Sequence, residues 1–373
     1  MKILIIFGTR PEAIKMAPLY HELRQAQFDN IEVKVCVTAQ HREMLDQVLD
    51  FFEIIPDYDL DLMQMNQTLN GLSAKILLGI DEVLRIEKPD LILVHGDTTT
   101  SSMVALAAFH LGIKVGHVEA GLRTYNKNAP FPEEVNRQIT SRLADIHFTP
   151  TPQATQNLLN EGIAQDFIIE SGNTVIDALL WTIKKIDIEG YKHPEIEKLK
   201  YSIPTNKKMV LVTGHRRENF GLGFQNLCDA LLSISTREDV VIVYPVHLNP
   251  NVKDLVFELL ANKENIKLIS PVSYPTFVWL MRQSFMIVTD SGGIQEEAPS
   301  LGKPVIVTRT VSERPEGIAA GFSKLVGTDT QKIIQEVNTI LDSFEGFENK
   351  TSPYGKGDAS KQIVDFLLKS SLK

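Results

Sequence analysis

Cysteine is scarce in this chain: 373 residues contain two, Cys36 in an apolar strand-like run and Cys228 in a helical pattern. Two thiols cannot frame a disulfide-stapled fold, and they read as buried structural side chains in a reducing compartment. Long apolar runs are missing too, none reaching the ~18 residues a membrane span needs. The run after Met1 and Lys2 meets Gly8 and Arg10 too soon for a signal-peptide core. We therefore expect a cytoplasmic protein with no membrane partner. Positive charge is not in excess: the net charge of −9 argues against nucleic-acid or acidic-membrane binding, while leaving room for a local basic pocket. The chain carries no short-period repeat, no low-complexity stretch, no G-x-S-x-G elbow and no His/Cys group at zinc spacing. Gly221-Leu222-Gly223 is not continued into a dinucleotide fingerprint. Asp57, Asp59 and Asp61 alternate as metal-binding acids can, but Tyr58, Leu60 and Leu62 between them read as an ordinary strand or turn edge. Neither a metal nor a cofactor is expected.

What is present is ordinary in bulk, 43% hydrophobic and 23% charged, and regular in pattern. A chain of 373 residues exceeds one comfortable core and calls for two domains. Apolar strand-like runs alternate with helical patterns throughout. They fall at Ile3–Phe7, Ile31–Val37, Leu91–Val94, Ile113–Val118 and Ile146–Phe148, then at Val210–Val212, Val240–Tyr244, Ile266–Ile269, Phe285–Val288 and Val305–Val307. Alternation of this kind predicts an α/β chain of two Rossmann-like, doubly wound domains with a cleft between them. We place the first domain at 1–171, a linker region at 172–206 and the second domain at 207–373, with the last helical pattern, around Ile363 to Leu368, a candidate to pack back on the first. Ligands of such sheets bind beyond the carboxyl ends of the strands.

The residues after the strands carry the chemistry. Phe285 to Val288 runs into Thr289-Asp290-Ser291-Gly292-Gly293 and a helix start, where two glycines let backbone N–H groups approach a phosphate with the helix dipole behind them. Glu296 or Glu297 in the first turn could reach a ribose hydroxyl. After the first run, Thr9 and Glu12 form a capping box with Pro11, and Arg10 and Lys15 bring two cations suited to a diphosphate. Asp97 and Glu119 stand at two further strand exits; Asp97 before a Thr-rich segment is a common N-cap, whereas Glu119 sits among apolar and small residues where a bare charge is costly. Glu133 and Glu134 open another helix. Several acids facing one crevice suit general acid/base work, because burial and like charges separate proton-holding from proton-taking roles. His215-Arg216-Arg217 offers donors to a phosphate leaving group, and His247 follows a strand alone.

Taken in order, Phe7 to Lys15, Val94-His95-Gly96-Asp97, His117 to Arg123, Pro132 to Arg137, His215 to Asn219 and Thr289 to Gly293 closely resemble the bacterial non-hydrolysing UDP-N-acetylglucosamine 2-epimerases, over almost the whole chain. The resemblance implies a fold of the GT-B glycosyltransferase type, a homodimer, and reversible conversion of UDP-GlcNAc to UDP-ManNAc for surface polysaccharide. It implies catalytic roles for Asp97, Glu119 and Glu133 and a diphosphate contact from His215. It further assigns UDP to Arg10, Ser291, Gly292, Gly293 and Glu297, and the uracil to Phe277. In activated members a second UDP-GlcNAc site matches Gln40, His41, Arg216 and His247 here, while Met63 to Gln67 lacks an Arg that regulated members carry. The carbon-2 hydrogen is not acidified by a carbonyl, so the expected route is elimination of UDP to 2-acetamidoglucal and re-addition, with acid and base unassigned among the three carboxylates. A hydrolysing epimerase releasing ManNAc, an epimerase of another UDP-2-acetamido sugar, a GT-B glycosyltransferase and a binding protein without turnover are the alternatives.

Overall fold

The computed structural model describes residues 1–25, 31–38, 42–62, 67–312, 314–348 and 350–371. Two compact units divide the chain, Met1–Trp181 together with Tyr354–Lys373, and Thr182–Pro353. The first is built on β1 (Lys2–Phe7), β2 (Glu32–Val37), β3 (Tyr58–Asp59), β4 (Leu91–His95), β5 (Lys114–Val118), β6 (Ile146–Thr149) and β7 (Ile168–Glu170). They form one sheet in the order β3-β2-β1-β4-β5-β6-β7, with every neighbouring pair parallel. Its helices are α1 (Arg10–Gln25), α2 (Arg42–Phe51), α3 (Leu69–Glu87), α4 (Thr99–His110), α5 (Glu133–Leu143), α6 (Pro152–Asn160) and the first part of α7 (Thr174–Ile186).

The second unit repeats the plan with β8 (Lys208–Thr213), β9 (Val240–Pro245), β10 (Ile266–Ile269), β11 (Met286–Thr289), β12 (Val305–Val307) and β13 (Ser323–Leu325). The order is β10-β9-β8-β11-β12-β13, again all parallel. Its helices are α8 (Pro194–Ser202), α9 (Leu222–Ile234), α10 (Pro250–Leu260), α11 (Tyr274–Gln283), α12 (Gly292–Ser300), α13 (Pro315–Ala319) and α14 (Thr330–Ser343), before the chain returns to the first unit as α15 (Ala359–Ser371). Both are therefore Rossmann-like α/β units, as the alternating pattern predicts.

Helices on both faces explain why the central strands read as unbroken apolar runs. Ile3 to Phe7 are each 0% exposed, and fully burying each such side chain is worth roughly 1.5–3 kcal/mol. In each sheet the winding reverses at one place, between β1 and β4 and between β8 and β11. Strand exits flanking such a reversal leave a crevice, so Gly8 to Arg10 and Asp97 in the first unit, and Gly214 to Arg216 and Asp290 to Gly293 in the second, stand where ligands of this fold bind. Among the described residues no helix is long and apolar enough to cross a membrane.

Candidate active site

In the first unit the start of α1 is filled by the chain itself. The buried Glu12 carboxylate accepts the Gly8 N–H at 3.1 Å and the Thr9 N–H at 2.8 Å through Oε2, and the Thr98 hydroxyl at 2.7 Å through Oε1. This is the glutamate half of the capping box. Burial pushes Glu12 up to about 7, while the hydrogen bonds from Thr98, Thr9 and Gly8 oppose the rise. The bridge ties the β1 exit to the β4 exit. Arg10 opens α1, and Lys15, more than one turn further, places its ammonium on Glu119 Oε2.

Glu119 follows β5 with φ of +62°, a left-handed conformation that costs a non-glycine residue energy and gathers at functional sites. Two residues on, Gly121 has φ of +87° and no room for a side chain, since a Cβ would stand 2.3 Å from the Ala154 carbonyl oxygen. Besides Lys15, Glu119 Oε2 has Asn173 Nδ2 at 3.3 Å and His95 Nε2 at 3.7 Å. Burial lowers His95 to about 4, so its ring is neutral at pH 7. Asp97 is held twice from α5: Arg137 Nη2 lies 2.5 Å from its carboxylate, and Asn136 Nδ2 donates to its carbonyl at 3.0 Å. Behind them, His117 Nε2–H donates to the Gly96 carbonyl at 2.8 Å, and Gly96 N–H donates to Val118 O at 2.9 Å, which locks the Asp97 turn to β5.

The two glutamates that open α5 differ. Glu134 is fully buried and committed, accepting the Thr124 and Tyr125 N–H groups at 2.9 and 3.0 Å and Gln138 Nε2 at 3.0 Å. Glu133 keeps a buried oxygen, Oε2, with no hydrogen-bond partner among the described residues. It lies three and four residues from Asn136 and Arg137, on the helix face that serves Asp97.

In the second unit, buried Asp290 organises the β8 exit. Its Oδ2 accepts the N–H groups of His215 and Arg216, both at 2.9 Å, and its Oδ1 lies 3.3 Å from His215 Nδ1. Burial lowers the His215 pKa, and Asp290 pulls the other way. The His215 ring stacks on His247 with centroids 5.8 Å apart, and His247 Nδ1 accepts the Asn249 N–H. At the start of α12, Ser291 makes no side-chain cap bond, unlike the Glu12-filled start of α1. Nη2 of Arg314 and of Arg216 come within 3.8 and 3.9 Å of where a Gly292 Cβ would stand, so two guanidinium groups converge on that glycine. Arg314 is seated by Glu296, whose Oε1 is 2.5 Å from its Nε, and by Ser312, which also donates to Gln295 on α12. Glu297 instead accepts the Tyr274 hydroxyl at 3.1 Å; Phe277, half-buried, is the next-turn neighbour of Tyr274 on α11.

The start of α12, with its glycines, two arginines and the nearby His215, is suited to an anion, and the half-buried Asp97, Glu119 and Glu133 of the first unit are candidates for handling a proton. The profile described as UDP-N-acetylglucosamine 2-epimerase matches residues 21–368. The chain belongs to this family. It is 53% identical over 371 residues to the UDP-N-acetylglucosamine 2-epimerase of Escherichia coli strain K12, covering 98% of each chain. Among solved structures, the UDP-GlcNAc 2-epimerase of Neisseria meningitidis, bound to UDP-GlcNAc, superimposes with a TM-score of 0.92 at 50% identity, over 99% of this chain and 100% of that one. The Methanocaldococcus jannaschii enzyme, in complex with UDP-GlcNAc and UDP, gives 0.85 at 35% identity, over 99% and 100%.

The sequence reading overlooked Arg314 and Asn173, which the structure brings to Gly292 and to Glu119. Arg314 sits in a loop after β12 with no periodic signal, and only its approach to Gly292 exposes it; Asn173 looks like any helix-initiating Asn. Gln40 and His41, expected near a second nucleotide site, lie outside the described residues. In the second unit, a cavity of about 240 Å³ lined by Tyr191, His193, Trp279 and Arg282 shares no residue with the anion cradle, and its Arg282 is paired with Asp187 at 2.6 Å.

Proposed function

We propose that the protein interconverts UDP-GlcNAc and UDP-ManNAc by eliminating UDP and adding it back. The observation that carries this reading is the division of labour between the two units, an anion cradle in one and half-buried carboxylates at strand exits and a helix start in the other, in a chain of the epimerase family. The diphosphate is bound by the α12 amides at Gly292 and Gly293 with Arg216, Arg314, Arg10 and His215, with Ser291 beside them; Phe277 takes the uracil and Glu297 the ribose. A bound diphosphate favours the protonated His215 ring against the effect of burial. One of Asp97, Glu119 and Glu133 removes the carbon-2 proton as the bond from carbon 1 to the UDP oxygen breaks, leaving a carbon 1–carbon 2 double bond in 2-acetamidoglucal. Protonation of carbon 2 from the other face and return of UDP to carbon 1 complete the exchange. The net reaction is redox-neutral.

We also infer a cytoplasmic homodimer. Leu78 and Ile86 on α3, Phe109 on α4 and Ile139 on α5 are exposed apolar side chains on successive packed helices of one unit, a surface of the kind a second copy covers. Regulation by a second UDP-GlcNAc is proposed for Gln40, His41, Arg216 and His247, of which Gln40 and His41 lie outside the described residues.

The test is incubation with UDP-GlcNAc in deuterated water, followed by NMR. UDP-ManNAc with deuterium at carbon 2 is the expected result. Free ManNAc would replace the reading with a hydrolysing epimerase, and an unchanged sugar would point to another UDP-sugar.

A further inference from the structure

Asn173, on the loop between β7 and α7, is 2% exposed and committed in three directions. Its side-chain carbonyl accepts the Val175 N–H at 3.0 Å and so starts α7. Its backbone N–H donates to the Tyr354 carbonyl at 3.0 Å. Its side-chain nitrogen donates to Glu119 Oε2 at 3.3 Å. The loop is also in van der Waals contact with the returning C-terminal segment, since a Cβ on Gly355 would stand 3.5 Å from the Gly172 Cα. Lys15 meets the same carboxylate oxygen from a flexible four-carbon stem, whereas Asn173 reaches it from a backbone anchored on both sides. A carboxylate that must meet a carbon-bound hydrogen in one orientation needs such a rigid donor, since an error of about 1 Å costs on the order of a hundredfold in rate.

We propose that Asn173 is a positioning residue for Glu119, setting the direction of its carboxylate from a loop that the C-terminal segment holds in place. The proposal rests on the epimerase reading only for the role of Glu119 in proton transfer. Glu119 is faced by Lys15 from α1, His95 from β4 and Asn173, with Asp97 acting on the same His95.

Asn173→Asp separates this role from a merely structural one. Aspartate keeps the oxygen that caps α7 but sets an oxygen where the donor to Glu119 stood. Carbon-13 NMR would follow the Glu119 carboxyl titration, with its signal identified by loss in Glu119→Gln, alongside the melting temperature, kcat and KM. In Asn173→Asp we expect a folded protein whose melting temperature is several degrees lower near pH 7, because a raised carboxyl pKa costs stability there, a Glu119 titration displaced upward by about one pH unit or more, and kcat down on the order of tenfold to a hundredfold at a KM within about threefold. Asn173→Ser, which keeps a capping oxygen and adds no charge, should lose kcat with a smaller displacement. A stably folded Asn173→Asp with the Glu119 titration and kcat of the parent would overturn the assignment. The titration needs no turnover, so a displaced Glu119 in a protein inert toward UDP-GlcNAc would uphold the assignment and remove the epimerase reading instead.

Discussion

Adjacent acids pose the hardest question a sequence can ask. Glu133 and Glu134, like Glu296 and Glu297, are chemically identical neighbours, and 3.6 residues per turn sends them to different faces. The pattern of apolar residues leaves both pairs open, and it is the family resemblance that prefers Glu133 for catalysis and Glu297 for the ribose. Tertiary contacts distinguish them: Glu134 is taken up by the amides of Thr124 and Tyr125, and Glu296 by Arg314. Glu134→Gln should leave a buried N–H without its acceptor, cost about 1–3 kcal/mol and lower the melting temperature by several degrees. Glu133→Gln should melt as the parent does while kcat falls on the order of a hundredfold or more. Calorimetry beside steady-state kinetics checks the pair, and the reverse pattern would exchange their roles.

At the scale of elements, the central strands were readable because helices cover both faces of each sheet, and such strands have no polar side to confuse the pattern. β7 and β13 were not found. Each is three residues long at a sheet edge, too short for a periodicity to register. The β5 and β6 strands bring His117 and His147 into direct register. Burial lowers them to about 3 and about 4, and each ring keeps a buried Nδ1 with no partner among the described residues. Their folded values lie below the ordinary histidine value, so the unfolded chain binds more protons below about pH 6.5, and stability falls as pH falls through that range. Glu12 and Asp177, raised by burial to about 7 and about 6, act in the opposite sense as pH rises. His147→Gln should therefore flatten the decline between about pH 6.5 and 4, read from urea unfolding at several pH values. An unaltered slope would show that His147 does not titrate between the two states.

The whole molecule has one discontinuous unit. The chain completes the second unit and returns at Tyr354, which is 1% exposed and packs with Val175 and Ile176. Asp177 then caps α15 through the N–H groups of Ala359 and Ser360 at 3.2 and 2.8 Å, and α15 packs on α1. Gly357 is required there, with φ of +81° and a Cβ position only 2.3 Å from Leu180 Cδ1. Truncation after Pro353 should therefore loosen α1, α7 and β7 while β8 to β12 keep their protection, as amide hydrogen exchange would resolve. Equal loss in both units, or none in the first, would contradict the division.

The sequence by itself determined the two-unit α/β plan and the family, because alternation, strand-end motifs and their order are local properties carried by neighbouring residues. It also marked the strand exits where acids and cations gather. Only the tertiary structure decided which partners those groups meet: Lys15 with Glu119, Arg137 with Asp97, Arg314 with Gly292, Asn173 with both Glu119 and the C-terminal segment. These contacts join residues up to 181 positions apart, and no periodicity encodes a distance that depends on how packed helices and sheets close over a core.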